Sequence, residues 1–291
     1  MIILPQIIIT AVVVIYLVIC SYTDIKTHEV PDWISYGMIF SGIMLNAMFA
    51  VILGRYIIIL HSLIGLLIGF VISWIMFYSG QWGGGDAKVL MGLGALIGLE
   101  LTFERIPFLM DFLVNVILIG AIFGIVWSFG LMLINRKKFV KDYRKRNKNK
   151  NIRRARNMVI LVLVFSIVAG ILIKDLPTRI LCIGLGVIIA FTFYSWRFMK
   201  SVEAVCMLKN IDPEKITPGD WIAKEIKIDG KYITGPKDLG IEPSQIRKLI
   251  QLKKAKKINK VLVKYGIPFT PSFLISFIVT IVFGGFFGWL L

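Results

Sequence analysis

Long apolar runs alternate with shorter polar stretches along most of the chain. Runs close to twenty residues predict helices that cross a bilayer core of about 30 Å. The eight predicted spans are residues 4–22, 34–53, 57–79, 88–101, 112–134, 158–173, 179–198 and 267–290. The fourth is the weakest, because it is short and ends in Glu100. The pattern predicts an all-α polytopic membrane protein with about eight transmembrane helices.

One segment, residues 200–265, departs from this pattern and predicts a small α+β cytoplasmic module before the last helix. Residues 225–233 alternate apolar and polar positions around Asp229-Gly230, which is typical of a hairpin. Residues 243–264 predict a basic amphipathic helix. The module is small, so we expect it to dock on the membrane domain.

The chain is thereby divided into five predicted parts. They are a membrane domain of five spans at 1–135, a basic cytoplasmic loop at 136–157, a transmembrane hairpin at 158–199, the module at 200–265 and a C-terminal transmembrane helix at 266–291. The first apolar run lacks a basic flank before it, so we interpret it as a retained span, not a cleaved signal.

Composition supports the membrane assignment, and charge orients the spans. Hydrophobic residues make up 57% of the chain, and the formal net charge is +17. Residues 136–157 hold twelve Lys or Arg and one acid, and residues 200–265 hold fifteen and eight. The positive-inside rule places both basic segments in the cytoplasm. With eight spans, both termini and the loops at 54–56, 100–111 and 174–179 then lie outside.

Two carboxylates emerge on the same face in this topology. Asp24 ends the first span, and Asp86 follows Gly83-Gly84-Gly85 before the fourth. Ionisable groups at a membrane boundary indicate function. Carboxylates at close range cannot both ionise, so such a pair shares a proton. One member can then activate a water molecule, while the other donates a proton to the scissile carbonyl or the leaving amine. The pair predicts metal-free peptide hydrolysis, with glycines that let an extended peptide approach and can adopt positive φ.

Simpler interpretations remain open for each residue alone. Asp86 fits the N-cap of the fourth span, accepting from the Lys88 or Val89 amide. Asp24 fits an ordinary polar residue at a helix end, paired with Lys26. Glu29 and Asp32 lie in the same loop as Asp24, and either is an alternative partner for Asp86.

The motifs resemble those of type IV prepilin peptidases. Residues 24–32 resemble the first aspartate region of that family, and Gly83-Gly84-Gly85-Asp86-Ala87-Lys88 is similar to its GxGD motif with a trailing lysine. The C-terminal region of archaeal members, which include preflagellin peptidases, resembles three further stretches. These are Asp220-Trp221-Ile222, Gly235-Pro236-Lys237 and residues 266–273.

The resemblance implies a membrane aspartic endopeptidase that cuts the short, basic leader from prepilin or preflagellin (archaellin) precursors. Asp24 and Asp86 are then the catalytic pair, and Gly83 and Gly85 shape the site. Lys88 matches the motif, and its expected role is to hold Asp86 ionised.

Cofactors and other partners are expected to be few. Bacterial relatives carry paired CxxC motifs and methylate the new N-terminus, whereas Cys20, Cys182 and Cys206 are scattered here. We therefore expect no cofactor, no metal site and no methyl transfer. The 136–157 segment is expected to contact anionic lipid head groups, not nucleic acid.

Two other functions remain as alternatives. A presenilin-like intramembrane protease shares GxGD, but the first aspartate here follows Tyr22-Thr23 instead of pairing directly with a tyrosine. The other alternative is a proton-coupled transporter or lipid-handling protein that uses acids as a proton relay. This function predicts acids in the middle of the spans, and the sequence has none there.

Overall fold

Helices make up most of the structure, a computed structural model that describes residues 3–102, 106–228 and 230–285. The helices in these ranges are α1 (Ile3–Thr27), α2 (Asp32–Ile52), α3 (Ile57–Tyr78), α4 (Gly84–Ile97), α5 (Phe108–Ile134), α6 (Arg136–Asn147), α7 (Lys150–Leu172), α8 (Leu176–Val202), α9 (Pro243–Lys254) and α10 (Thr270–Phe283). The strands are β1 (Leu208–Ile211), β2 (Trp221–Ile222), β3 (Ile226–Ile228), β4 (Lys231–Thr234) and β5 (Val261–Lys264).

Six of the described helices are long and apolar enough to cross a membrane, namely α1, α2, α3, α5, α7 and α8. The polytopic helical class is therefore confirmed, but the count of eight spans is not. The fourth and eighth predicted spans coincide with α4 and α10, which have 14 residues each and are about 21 Å long. Residues 103–105 of a predicted outward loop and 286–290 of the last predicted span lie outside the described residues.

Helix α4 is short because it lies inside the bundle. It packs between α2 and α3, and most of its side chains are buried. The backbones of Gly65 and Gly94 are so close that a methyl group on either would overlap the carbonyl oxygen of the other. Small residues permit such close packing of membrane helices. Polar side chains add to the contact, because Ser62 donates to the Ala95 carbonyl at 2.6 Å.

Helix α10 is anchored to α1 and to the first half of α5. The Asn115 side chain of α5 donates to Thr280 Oγ1 at 2.9 Å, and Ser276 donates to the Asn115 carbonyl at 3.3 Å. All three residues are buried. The ring of Phe277 meets that of Phe112 edge to face. These contacts hold the second half of α10 against α5.

The module between α8 and α10 contains strands and one amphipathic helix, as predicted. Strands β3 and β4 form the antiparallel hairpin, although Asp229 of its turn lies outside the described residues. Strand β5 lies between β1 and β2 in a three-stranded sheet. Leu249 of α9 is buried in an apolar core, which it shares with Ile222 and Val263.

The predicted helix over 243–264 is wrong in its second half. Helix α9 ends at Lys254, and Lys256 has a φ of 58°, which a continuing helix does not allow. Residues 261–264 instead form β5, which pairs with β2. The Val-Leu-Val sequence favours a strand, and its two valines are buried in the sheet core.

The chain divides into two compact units. One contains Met1–Val126 with Asn210–Leu291, and the other is Trp127–Lys209. In the second unit, α7 packs along α8 where Gly186 lies against Ser166. The segment predicted as a basic loop is helical, because it comprises α6 and the first turns of α7. The five-part division of the sequence stays a prediction.

Candidate active site

Asp24 lies near the end of α1 with only 6% of its surface exposed. Helix α1 ends three residues later, at Thr27. The His28 amide donates to the Asp24 carbonyl at 2.8 Å, and His28 then adopts a φ of 57°, which turns the chain toward Pro31 and α2. The turn leaves the Asp24 side chain in the protein interior, whereas Glu29 and Asp32 are exposed.

Asp86 lies in the first turn of α4. The N-cap of α4 is Gly83, so the interpretation of Asp86 as N-cap is wrong by three residues. Asp86 instead reaches back, and its Oδ2 accepts from the Gly83 amide at 3.3 Å. Its other oxygen, Oδ1, remains available to a second partner.

Thr270, the first residue of α10, joins the two carboxylates. Its amide donates to Asp24 Oδ2 at 2.9 Å, and its hydroxyl donates to Asp86 Oδ1 at 3.3 Å. Its side chain is fully buried. The amide nitrogen and hydroxyl oxygen of a threonine are about 3 Å apart, so the two bonded carboxylate oxygens are at most about 9 Å apart.

Sequence reasoning gave Thr270 no role. It lies 246 residues from Asp24, and no local pattern links the two. A threonine followed by proline at the start of an apolar run is usual at a helix N-terminus. The one available signal was its position in the 266–273 stretch that resembles the C-terminal region of archaeal members.

An aromatic cluster fixes the backbone at Thr270. The ring centroids of Trp82 and Phe269 are 5.4 Å apart, those of Trp82 and Phe273 5.5 Å, and those of Phe269 and Phe273 5.4 Å. Trp82 directly precedes the motif glycines, and Phe269 directly precedes Thr270. The cluster therefore couples the positions of Asp86 and Thr270.

The motif glycines serve close packing more than unusual backbone angles. A methyl group on Gly85 would come within 3.3 Å of Val30, which lies in the turn between α1 and α2. Gly83 has a φ of −71° and an extended conformation. Gly83, Gly84 and Gly85 all have negative φ, so the positive φ that glycine permits is not used at the motif. The positive φ belongs to Gly80, three residues earlier.

Lys88 points to a different acid from the expected one. Its Nζ lies 2.5 Å from Asp32 Oδ1, and it also lies over the ring of Tyr36 at 5.4 Å. The pair is partly exposed, with 29% of the Lys88 side chain and 66% of the Asp32 side chain accessible. The contact links α4, which carries Asp86, to α2.

Residues of the module approach the same region. The rings of His28 and Tyr265 are 5.5 Å apart, and Tyr265 directly follows β5. Burial raises the pKa of the Tyr265 hydroxyl, and the negative charges of Asp220 and Glu29 raise this pKa further. Acidic side chains from the module and from the α1–α2 turn therefore lie together near the site.

The geometry supports general acid and base chemistry. Asp24 meets the first amide of α10, and Asp86 lies in the first turn of α4, so the positive ends of two helix dipoles favour negative charge here. Two carboxyls held by one threonine can interact electrostatically, so that one is protonated while the other is ionised. Among the described residues, no cluster of three His, Cys, Asp or Glu side chains has the geometry of a metal site.

Comparison with known proteins agrees with the motifs. The model of the type IV leader peptidase family matches residues 11–128, a range that includes both aspartates. Preflagellin peptidase of Methanococcus voltae is 41% identical over 81 residues, which cover 28% of this chain and 34% of that protein. Preflagellin peptidase of Methanocaldococcus jannaschii is 36% identical over the same shares.

A longer alignment extends the similarity. Prepilin peptidase EppA of Methanothermobacter thermautotrophicus is 23% identical over 201 residues, which cover 64% of this chain and 51% of that protein. The alignments to the preflagellin peptidases span about a third of those proteins. No solved structure matches the chain. The predicted resemblance to this family is confirmed.

Proposed function

We propose, from the match of residues 11–128 to type IV leader peptidases and from the site geometry, that the protein is a membrane aspartic endopeptidase. Its substrates are type IV prepilin-like or preflagellin precursors, from which it removes the short basic leader. The observation that carries the proposal is that Asp24 and Asp86, separated by 62 residues, both hydrogen-bond to Thr270.

The proposed mechanism uses water and the two carboxyls. One aspartate is ionised and takes a proton from a water molecule as that water attacks the scissile carbonyl carbon. The other aspartate is protonated and donates to the carbonyl oxygen, which gives a neutral tetrahedral intermediate. The first aspartate then passes its proton to the leaving amine as the C–N bond breaks, while the second aspartate takes a proton back from a hydroxyl of the intermediate, which becomes the carboxylic acid product. The hydrogen bonds from Thr270 keep the two carboxyls oriented through these steps.

The substrate is expected to approach from the cytoplasmic face, where the positive-inside rule places both aspartates. Glu29 and Asp220 lie near Tyr265, and both attract a positively charged leader. Gly83 leaves room for an extended peptide beside Asp86, whereas Gly85 lets α4 approach Val30 closely. The cleavage site is then the junction between the basic leader and the apolar segment that follows it.

One further partner follows from the sequence. The basic residues of 136–157 are proposed to contact anionic lipid head groups, each contributing on the order of 1 kcal/mol near such a surface. Nucleic acid has no part in the proposal, because these residues flank membrane-length helices.

The substrate assignment is tested with membranes that contain the full chain. A preflagellin and a type IV prepilin are each incubated with these membranes, and the products are identified by mass spectrometry. We expect a mass loss equal to the leader for at least one precursor. Replacing the leader Lys and Arg by Gln should slow the cleavage. If neither precursor is shortened under conditions in which the Methanococcus voltae enzyme cleaves, the proposal is wrong.

A further inference from the structure

We propose that the cavity between α6 and α8 binds the phosphate of an anionic phospholipid. The cavity has a volume of about 200 Å³ and belongs entirely to the second unit, Trp127–Lys209. Each water molecule of the liquid occupies about 30 Å³, so the space holds a head-group phosphate with several waters. The proposal does not depend on the peptidase function.

Arg197 is the main reason to expect an anion. It lines the cavity and is only 5% exposed. Its guanidinium lies over the rings of Tyr143, Phe193 and Tyr194, at 4.8, 5.4 and 5.7 Å. The rings hold the guanidinium plane but do not neutralise its charge. No salt bridge joins Arg197 to an acid in the described part of the chain. A buried charge is normally paired, so an anionic partner is expected.

Ser201 provides an independent indication of a ligand. It lies one helical turn after Arg197 and also lines the cavity. Its side chain is fully buried, and its hydroxyl lacks a hydrogen-bond partner within the described ranges. Buried hydroxyls are nearly always bonded. A phosphate oxygen between Arg197 and Ser201 would accept from both, and guanidinium-to-phosphate bonds are strong and directional.

The remaining wall strengthens the positive field. Arg146 and Lys200 line the cavity, and no acid does. Both cations also contact acids outside the wall, since Arg146 bonds Asp142 at 2.6 Å and Lys200 bonds Glu203 at 3.1 Å. Their charges are therefore partly compensated, whereas that of Arg197 is not.

The position of the cavity along α8 favours a lipid over a free phosphate. Arg197 and Lys200 follow the apolar part of α8, whose side chains Ile188, Ile189 and Phe191 are exposed. Trp196 lines the cavity and is 49% exposed. Tryptophan and arginine at the end of an apolar helix are typical of the head-group level. Acyl chains can then lie along α8 while the phosphate enters the cavity.

The test measures binding of a fluorescent phosphatidylglycerol to the purified full chain in a zwitterionic detergent. Saturable binding is expected for the wild type. Arg197→Gln should raise the Kd at least about tenfold, because the paired charge and its directional bonds are lost. Ser201→Ala removes only one oxygen atom, so it should raise the Kd by a smaller factor. Lys231→Gln removes an exposed cation outside the 136–157 segment and away from the cavity wall, so it should leave the Kd within about twofold.

Two competition arms identify the source of the phosphate. Unlabelled phosphatidylglycerol should displace the probe, whereas millimolar inorganic phosphate or phosphatidylcholine should not. Displacement by inorganic phosphate at low concentration would overturn the lipid assignment. Equal Kd values for the wild type, Arg197→Gln and Ser201→Ala would overturn the site itself. If Arg197→Gln does not fold, the Kd values of Ser201→Ala and Arg197→Lys are compared with that of the wild type. Equal values would overturn the proposed site.

Discussion

At the scale of single residues, the motif predicted the two aspartates but not the residue that holds them. Asp24 and Asp86 were identifiable because each lies at the boundary of a predicted span and both match motifs of the family. Thr270 was not, because its hydrogen bonds depend on where α10 packs, and sequence spacing does not report that. The partner of Lys88 was expected to be Asp86, while the structure pairs it with Asp32. Both differences arise from contacts between helices that are distant in sequence.

Thr270→Val tests the hydroxyl that contacts Asp86. Valine keeps the shape and the amide bonded to Asp24 but removes the donor. A hydrogen bond to a charged group contributes about 1.5–3 kcal/mol, so kcat/KM for a precursor should fall roughly 10- to 100-fold. Thr270→Ser keeps the hydroxyl and should retain most of the activity. Equal loss in both variants would instead indicate a packing role.

Lys88→Met tests the ion pair beside the site. The pair with Asp32 is partly exposed, so its loss should change the cleavage rate less than about fivefold. Asp32→Asn should give a matching effect, and the double variant should be no worse than either single one. A large loss in Lys88→Met with full activity in Asp32→Asn would show that Lys88 acts on Asp86.

At the scale of elements, hydropathy predicted the long helices well and the short ones poorly. Helices α4 and α10 are shorter than a span. Helix α4 packs between α2 and α3, and the first turns of α4 and α10 carry Asp86 and Thr270. Strand β5 was assigned to a helix, because the apolar positions that precede it follow a helical spacing and the prediction was extended to Lys264. Pairing with β2 makes this segment a strand. The spacing of apolar residues along the chain does not reveal a partner about forty residues away, so the sequence alone could not predict this pairing.

Gly94→Ala tests the packing that places Asp86. The added methyl group would overlap the Gly65 carbonyl in α3, so the helices must separate. We expect a destabilisation of about 1–3 kcal/mol and a lower melting temperature in detergent. Gly124→Ala is the matched control, since nothing lies within 4 Å of the added methyl group. Equal melting temperatures for the two variants would contradict the packing shown for α4.

At the scale of the whole molecule, charge distribution predicts an orientation that the helices alone do not fix. The basic segments assign Glu29 to the cytoplasmic face and Arg55 to the opposite face. Both positions are exposed, so a cysteine at either is accessible to a reagent on its own side.

Cysteine labelling from each side of the membrane tests this orientation. Cys20, Cys182 and Cys206 are first replaced by Ser or Ala. An impermeant maleimide added outside intact cells should label Arg55→Cys and should not label Glu29→Cys. The opposite pattern would place the aspartates on the outer face and rule out cleavage of cytoplasmic leaders.

The central claim is that Asp24 and Asp86 act as one catalytic pair. The most direct measurement is the initial cleavage rate of a preflagellin or prepilin by membranes that contain Asp24→Asn, Asp86→Asn or both. Each single variant should lose activity to near background, and the double variant should be no worse, because the pair acts as a unit. Glu29→Gln is the matched control and should cleave. Activity in Asp24→Asn together with an inactive Glu29→Gln would contradict the account.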